Sequence, residues 1–223
     1  DADFNVAIGY GALTSDTKGN KSTAIGLETL GVQNFTSITD THNTAIGFQA
    51  GASVTTGDSN TLIGSQAGDA LTTGKNNTVV GKGALGTDTK GKECVAIGNG
   101  ALFTQNFTSL TNAFNTAVGS SAGEQVTNGT KNTLIGALSG DNIDTGNENT
   151  IVGYSSGNVV GGSNNVIVGS ECSNSNTSVT GEYLIGRAAT GSGANTFTIG
   201  VGDTDVQINI DGSDTSWSAT SDE

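Results

Sequence analysis

Asn43-Thr44-Ala45-Ile46-Gly47 is a phrase this chain keeps repeating. It returns as Asn60-Thr61-Leu62-Ile63-Gly64, Asn77-Thr78-Val79-Val80-Gly81 and Asn115-Thr116-Ala117-Val118-Gly119, and again as Asn132-Thr133-Leu134-Ile135-Gly136 and Asn149-Thr150-Ile151-Val152-Gly153. Looser copies close at Gly9, Gly26, Gly98, Gly169, Gly186 and Gly200. Successive closing glycines lie 17, 21, 17, 17, 17, 21, 17, 17, 16, 17 and 14 residues apart. A fixed period of this size marks a repeat architecture, in which each unit needs its neighbours to bury an apolar face.

Aligning the copies on the closing Gly turns the columns into physical statements. The residue before it is Ile or Val, and the one before that is nearly always apolar (Ala45, Leu62, Val79, Ala96, Leu134, Ile151). Adjacent residues of a strand point to opposite faces. Both faces of this short strand are therefore apolar, and burial on both is the natural expectation. A lone solenoid coil has one interior, so the second face calls for another layer or another chain. Seven residues before the closing Gly stands a second Gly (Gly57, Gly74, Gly91, Gly129, Gly146), replaced by Asp40 and Asn112 where the gap is 21. Gly, Asn and Asp tolerate a left-handed backbone, so this column reads as a turn corner. Three residues after the closing Gly comes a small residue, as at Ala50, Ala67, Ala84, Ser139 and Cys172, which reads as a place of close backbone packing.

Each 17-residue unit thus reads as one rung of a parallel β-solenoid of about 12 rungs, with two short strands, two turns and no helix. Rungs about 4.8 Å apart make a rod on the order of 50 Å long. The two long gaps are copies of one another. Thr17-Lys18-Gly19 recurs as Thr89-Lys90-Gly91, and Gln33-Asn34-Phe35-Thr36-Ser37 as Gln105-Asn106-Phe107-Thr108-Ser109, both at an offset of 72. A four-rung block with one lengthened loop has been duplicated. The rod occupies residues 1–202. Residues 203–223 follow as a terminal strand, in which Val206-Gln207-Ile208-Asn209-Ile210 alternates with period two, and a polar linker.

Composition narrows the function. The 223 residues include 35 Gly, no Pro and no Met, with a net charge of −13 and a pI near 4.1. That charge opposes nucleic-acid binding, which needs Lys and Arg against phosphate. No run approaches the roughly 18 apolar residues of a membrane span, so no membrane insertion is expected. The absence of Met suggests a processed product or a piece of a longer polypeptide. No cofactor is expected and no metal: Asp203 and Asp205 lack a Ca²⁺-ligand loop. His42, the only His, sits in no catalytic spacing and reads as a solvated loop residue. No carboxylate pair suits polysaccharide cleavage, so the chain reads as a non-enzyme. Cys94 and Cys172 lie four to five rungs apart, beyond disulfide reach, and Cys172, in the small-residue column, reads as a buried free thiol.

Two columns and two loops are the candidate sites. Asn43, Asn60, Asn77, Asn115, Asn132, Asn149 and Asn165 form a column suited to a hydrogen-bonded ladder; with Ile46, Gly47, Ile63, Gly64, Val80 and Gly81 they make up the structural repeat. A flat exposed ladder of Thr44, Thr61, Thr78, Thr116, Thr133 and Thr150 would be an ice-binding face, although these Thr share their side of the strand with Ile and Val. The lengthened loops offer Asn34, Phe35, Asn106 and Phe107 as receptor-binding residues, because loops on a rigid scaffold carry recognition. The alternative is that the two Phe only pin the loops to the rod. Asn34-Phe35-Thr36 and Asn106-Phe107-Thr108 also match an N-glycosylation acceptor, a frequent match in a chain this rich in Asn and Thr.

The repeated Asn-Thr-Ala-Ile-Gly phrase with its following Ala-Gly resembles the head repeats of trimeric autotransporter adhesins, and equally the related repeats of phage tail fibres. The resemblance covers roughly residues 5–200. It implies three parallel left-handed β-rolls around a threefold axis, which would supply the second covered face. The family's rung is somewhat shorter than 17 residues. Trp217-Ser218-Ala219-Thr220-Ser221-Asp222-Glu223 looks like the start of the self-cleaving intramolecular-chaperone domain of phage tail fibres and tailspikes. That resemblance implies processing near Ser221 and Asp222, with the chaperone beyond Glu223. The expectation is a homotrimeric, extracellular virion-tail fibre that attaches to a cell-surface glycan or protein receptor and joins other tail proteins. Alternatives are an adhesin head on a bacterial surface and an ice-binding solenoid.

Overall fold

The computed structural model describes residues 2–157, 161–202, 204–212 and the backbone of 218–220. The chain is an all-β parallel solenoid of about eleven turns, and no helix occurs among the described residues. One 14-stranded sheet runs its length, from Val6–Ile8 to Ser218–Thr220. Every pair up to Thr196–Val201 is parallel; Thr204–Asn209 and Ser218–Thr220 then pair antiparallel, ending the winding. Register follows the columns: Ala45 faces Leu62, Leu62 faces Val79, and Ile46, Ile63 and Val80 line up beside them.

The expectation of two strands per rung needs correction. Most rungs carry a single three-residue strand; among the described residues a second strand pairing occurs at the lengthened rungs, Gly19–Asn20 with Thr39–Asp40 and Gly91–Lys92 with Thr111–Asn112, and a single bridge joins Ser173 to Thr190. Elsewhere the opposite side is a stack of turns that still bond rung to rung, as in Gly51 N to Ala67 O (3.0 Å) and Thr72 N to Thr89 O (2.9 Å).

The two apolar columns part company. The column two before the closing Gly (Ala45, Leu62, Val79, Ala96, Leu134, Ile151) is fully buried, and Leu30, Leu71, Leu85, Leu102 and Ile143 fill the coil beside it. The small column packs against that core, with Ala50, Ala67, Ala84 and Ser139 all inaccessible to solvent. The column just before the closing Gly points outward.

Turning comes from a second periodicity, in φ. The closing glycines from Gly9 to Gly169 have φ between 126° and 147°. The residues five before them (Lys21, His42, Ser59, Lys131, Glu148) and two after (Glu28, Gln49, Gln66, Leu138) have φ of 50–61° whatever their type. Four after stands Gly in some rungs and a left-handed Leu in others (Leu30, Leu85, Leu102). Non-Gly residues pay about 1–2 kcal/mol for that conformation. Here it directs an N–H at the preceding rung, as in Ser59 N to Thr41 O (2.7 Å), so the strain is offset by a bond that repeats at each turn.

The Gly column seven before the closing Gly also departs from the expectation. Gly57, Gly74, Gly91, Gly129 and Gly146 are not left-handed. Gly57, Gly74, Gly129 and Gly146 are Gly because rungs stack too closely for a side chain: a Cβ on Gly57 would lie 2.4 Å from the carbonyl oxygen of Gly74, whereas a Cβ on Gly91 would meet the carboxylate of Asp88.

Candidate functional site: the open sheet face and the loop grooves

The outward side of the strand column is a surface that repeats from rung to rung along the sheet. Ile46, Ile63, Ile135, Val168, Ile185 and Ile199 are 36–45% exposed, whereas their strand neighbours Ala45, Leu62 and Leu134 are wholly buried. Thr44, Thr61, Thr116, Thr133 and Thr150 stand half-buried beside them and Thr78 is exposed. Backbone pairing holds the two columns in register, giving a flat ribbon of alternating β-branched methyls and hydroxyls.

Behind the strand, the Asn column is a buried ladder. Asn132 receives the N–H of Asn149 at Oδ1 (3.0 Å), donates from Nδ2 to Gly146 O (2.8 Å), and donates its own N–H to Asn115 Oδ1 (2.9 Å). Asn60, Asn77, Asn149 and Asn165 repeat the pattern, and Asn43 shares its first two bonds. Each amide thereby satisfies a buried backbone donor and a buried carbonyl that the turn leaves without partners.

The lengthened rungs would interrupt this ladder, because Ser22 and Cys94 stand where Asn is due. Two buried Gln repair it. Gln33 Oε1 accepts from Asn43 Nδ2 (2.8 Å) while its Nε2 donates to Asp16 Oδ2 (2.6 Å) and Ser22 Oγ (3.2 Å). Gln105 does the same between Asn115, Asp88 and Cys94 Sγ, at 2.7, 2.6 and 3.2 Å. Near the far end the buried carboxylate of Glu182 accepts from Asn174 Nδ2 (3.0 Å) and Gly193 N (2.8 Å). These residues escaped the sequence reading. Their signal was present, since Asp16 and Gln33 recur as Asp88 and Gln105 at the same offset of 72.

Both cysteines are free and buried. Cys94 occupies a ladder position, and desolvation, the largest influence, pushes its thiol up from 9.0 to about 12 against the hydrogen bond from Gln105. Burial also pushes up Cys172. A thiol held protonated on folding supports the native state fully below pH 9, and that support fades as pH rises from 9 toward 12. The equivalent pair in the first block, Ser22 and Thr41, is joined hydroxyl to hydroxyl at 2.5 Å, whereas the residues 72 positions further on are Cys94 and Ala113. The double variant Cys94→Ser/Ala113→Thr, which transplants the first block's pair, should keep stability within about 1 kcal/mol at pH 7. It should flatten the loss of stability between pH 9 and 11, read by urea unfolding at each pH; an unchanged alkaline slope would mean other groups carry it.

The loops correct one expectation. Phe35 and Phe107 are 9% and 6% exposed, so their rings are packed beneath the loops and not displayed at the loop tips. Aromatic burial pins each loop to the rod, the second of the two readings above. Asn34 and Asn106 remain exposed, each accepting at Oδ1 from a Thr hydroxyl one rung away, Thr17 and Thr89, at 3.1 Å. The loop tips are instead Ile38 and Leu110, 68% and 52% exposed. Beneath the first loop lies a groove of about 410 Å³, lined by Phe35, Thr36, Ser37, Thr56, Asp58 and Lys75. Beneath the second lies one of about 460 Å³, lined by the residues 72 positions further on, with Asn128, Thr130 and Asn147 in place of Thr56, Asp58 and Lys75. Leu110, from the second loop, also lines the first groove, so the two follow one another along one side of the rod.

Ser221, Asp222, Trp217 and Asp203 lie outside the described residues. His42 is exposed, with a left-handed backbone. Among the described residues no three of His, Cys, Asp or Glu gather to hold a metal ion, and no helix is long and apolar enough to cross a membrane. No protein-family model matches the chain, and neither does any curated protein or solved structure.

Proposed function

We propose that this chain is the shaft of a trimeric attachment fibre of the kind carried on phage tails, in which three left-handed rods pack their open sheet faces around a threefold axis. The observation that carries this reading is an Ile/Val column left partly exposed along a register-locked sheet, reaching 36–45% at Ile46, Ile63, Ile135, Val168, Ile185 and Ile199. A continuous apolar stripe of this length is characteristic of an interaction surface. Covering a half-exposed Ile or Val gains roughly 1 kcal/mol, so about ten such residues in a row are needed to exceed an association cost on the order of 4–15 kcal/mol. The rod form itself serves attachment: it holds the two loops at fixed spacing on the outside, toward a host-surface receptor, while other tail proteins hold its ends. Processing at Ser221 and Asp222 by a following chaperone domain belongs to the same reading. An adhesin head on a bacterial surface would share the assembly, and a gene encoding a coiled-coil stalk and membrane anchor after Glu223 would favour it.

Light scattering on the eluted protein is expected to give about 66 kDa, three times the 22.1 kDa chain. Ile63→Lys with Ile135→Lys places charge on the open face without touching the coil interior, and should yield a folded 22.1 kDa species. A monomeric wild-type rod at micromolar concentration would remove the fibre reading. It would favour the second one, ice binding by the same face, for which the in-register Thr column is the specific support. Thermal hysteresis by the monomer would establish that alternative, and its absence would end it.

A further inference from the structure

We propose that the two loop grooves are a tandem pair of binding sites for one neutral, hydroxyl-rich oligosaccharide, occupied in equivalent poses about four rungs apart. The first observation is their equivalence. Phe35, Thr36, Ser37 and Thr39 line one groove and Phe107, Thr108, Ser109 and Thr111 the other, and the facing walls come from positions that also differ by 72. The duplication therefore copied a concavity and not just a loop. Both volumes, about 410 and 460 Å³, fall in the range of small-ligand sites.

The chemistry of the lining names the ligand class. The second groove contains no charged side chain; hydroxyls and amides make up its walls over a buried Phe ring. In the first groove the only charges, Asp58 and Lys75, neutralise one another as a close ion pair. Among the described residues, the side-chain polar groups of Thr56, Thr73, Thr108, Asn128 and Thr145 make no hydrogen bond, leaving donors and acceptors side by side. A hydroxyl both donates and accepts, and so does an amide between its two ends, so these walls match the adjacent hydroxyls of a sugar ring. A chain carrying −13 repels anionic polymers at long range, which favours uncharged ligands over sulfated, sialylated or phosphate-rich ones. Four rungs at about 4.8 Å place the grooves about 19 Å apart along one side of the rod, so a repeating polysaccharide can engage both and gain avidity without a new contact.

This inference deepens the attachment reading and is independent of the number of chains in the fibre. The full chain is applied to an array of neutral hexose and N-acetylhexosamine oligosaccharides, and its best ligand is titrated by calorimetry. Two sites per chain are expected. Thr56→Val/Thr73→Val should remove one site, Asn128→Ala/Thr145→Val the other, and the combined variant both. Asn128 and Thr145 are exposed and Thr56 and Thr73 half-buried, and an unchanged circular-dichroism melt confirms each fold. Thr73→Ser and Thr145→Ser should keep binding, because the hydroxyl persists. No binding to any neutral glycan, or binding that survives in the combined variant, overturns the proposal. The measured mass reports separately on the fibre: a trimer that fails on the array leaves the shaft reading standing and the grooves without this role.

Discussion

Gly64→Ala is expected to destabilise the rod by roughly 2–6 kcal/mol, the sum of a forbidden backbone conformation and an overpacked contact. At a φ of 134° this position lies outside the left-handed well that Asn or Ser can occupy. A Cβ there would also stand 2.6 Å from the carbonyl oxygen of Gly81, a backbone atom that cannot swing aside because it belongs to the next rung. The control is Gly83→Gln. Gly83 has a φ of 62°, its Cβ would meet nothing nearer than 3.7 Å, and the equivalent position one rung earlier is already Gln66. That change should cost no more than about 1–2 kcal/mol. Urea unfolding followed by far-ultraviolet dichroism measures both, and hydrogen exchange should show the Gly64→Ala damage centred on the neighbouring rungs, since a solenoid couples mainly to nearest neighbours. Equal losses at the two positions would refute the stacking argument.

The second large effect belongs to the ladder. Asn132→Ala leaves the N–H of Asn149 and the carbonyl of Gly146 buried without partners, at about 1–3 kcal/mol each, so a loss of roughly 2–5 kcal/mol is expected. Asn132→Asp separates geometry from polarity. A protonated Asp keeps the acceptor for Asn149 and supplies an O–H toward Gly146; an ionised one loses that donor and buries a charge. Burial raises the folded-state pKa, so the ladder's support should be complete below the unfolded value near 3.9 and be lost as pH rises above it. The variant should therefore be more stable at pH 3.5 than at pH 7 relative to wild type. A pH-independent loss would mean the site admits water and is not the dry ladder described above.

Much of this arrangement was legible in the residues. The Asn column reads as a ladder because its spacing equals the rung, and a column that recurs once per turn must stack on itself. The open face was legible too, as two adjacent apolar residues in a strand too short to be buried twice by one coil. Less visible were the residues that act only where the repeat falters. Gln33 and Gln105 stand seven residues after a closing Gly, in a column that is apolar core at Val54, Leu71, Val126 and Ile143, and their polar role answers the breaks in the Asn series at Ser22 and Cys94. The loops left two readings open for a related reason. Phe in a long polar loop reads as a bait for partners, yet a coil with few aromatics has space beneath its widened turn, and the ring fills it.

By itself the amino-acid sequence determined the period, the parallel register, the short strand and the duplicated block, because identical units can only stack in line with one another. Alternation along a strand also determines that Leu62 and Ile63 face opposite ways. It does not determine which of them is inside. That choice came from the winding, in which left-handed corners at Ser59, Gln66 and Gly68 curl the chain around Leu62 and leave Ile63 on the convex side. The same winding decided why Gly57 is Gly: the constraint is the carbonyl of Gly74 one rung away, a contact between residues 17 apart that no local preference encodes.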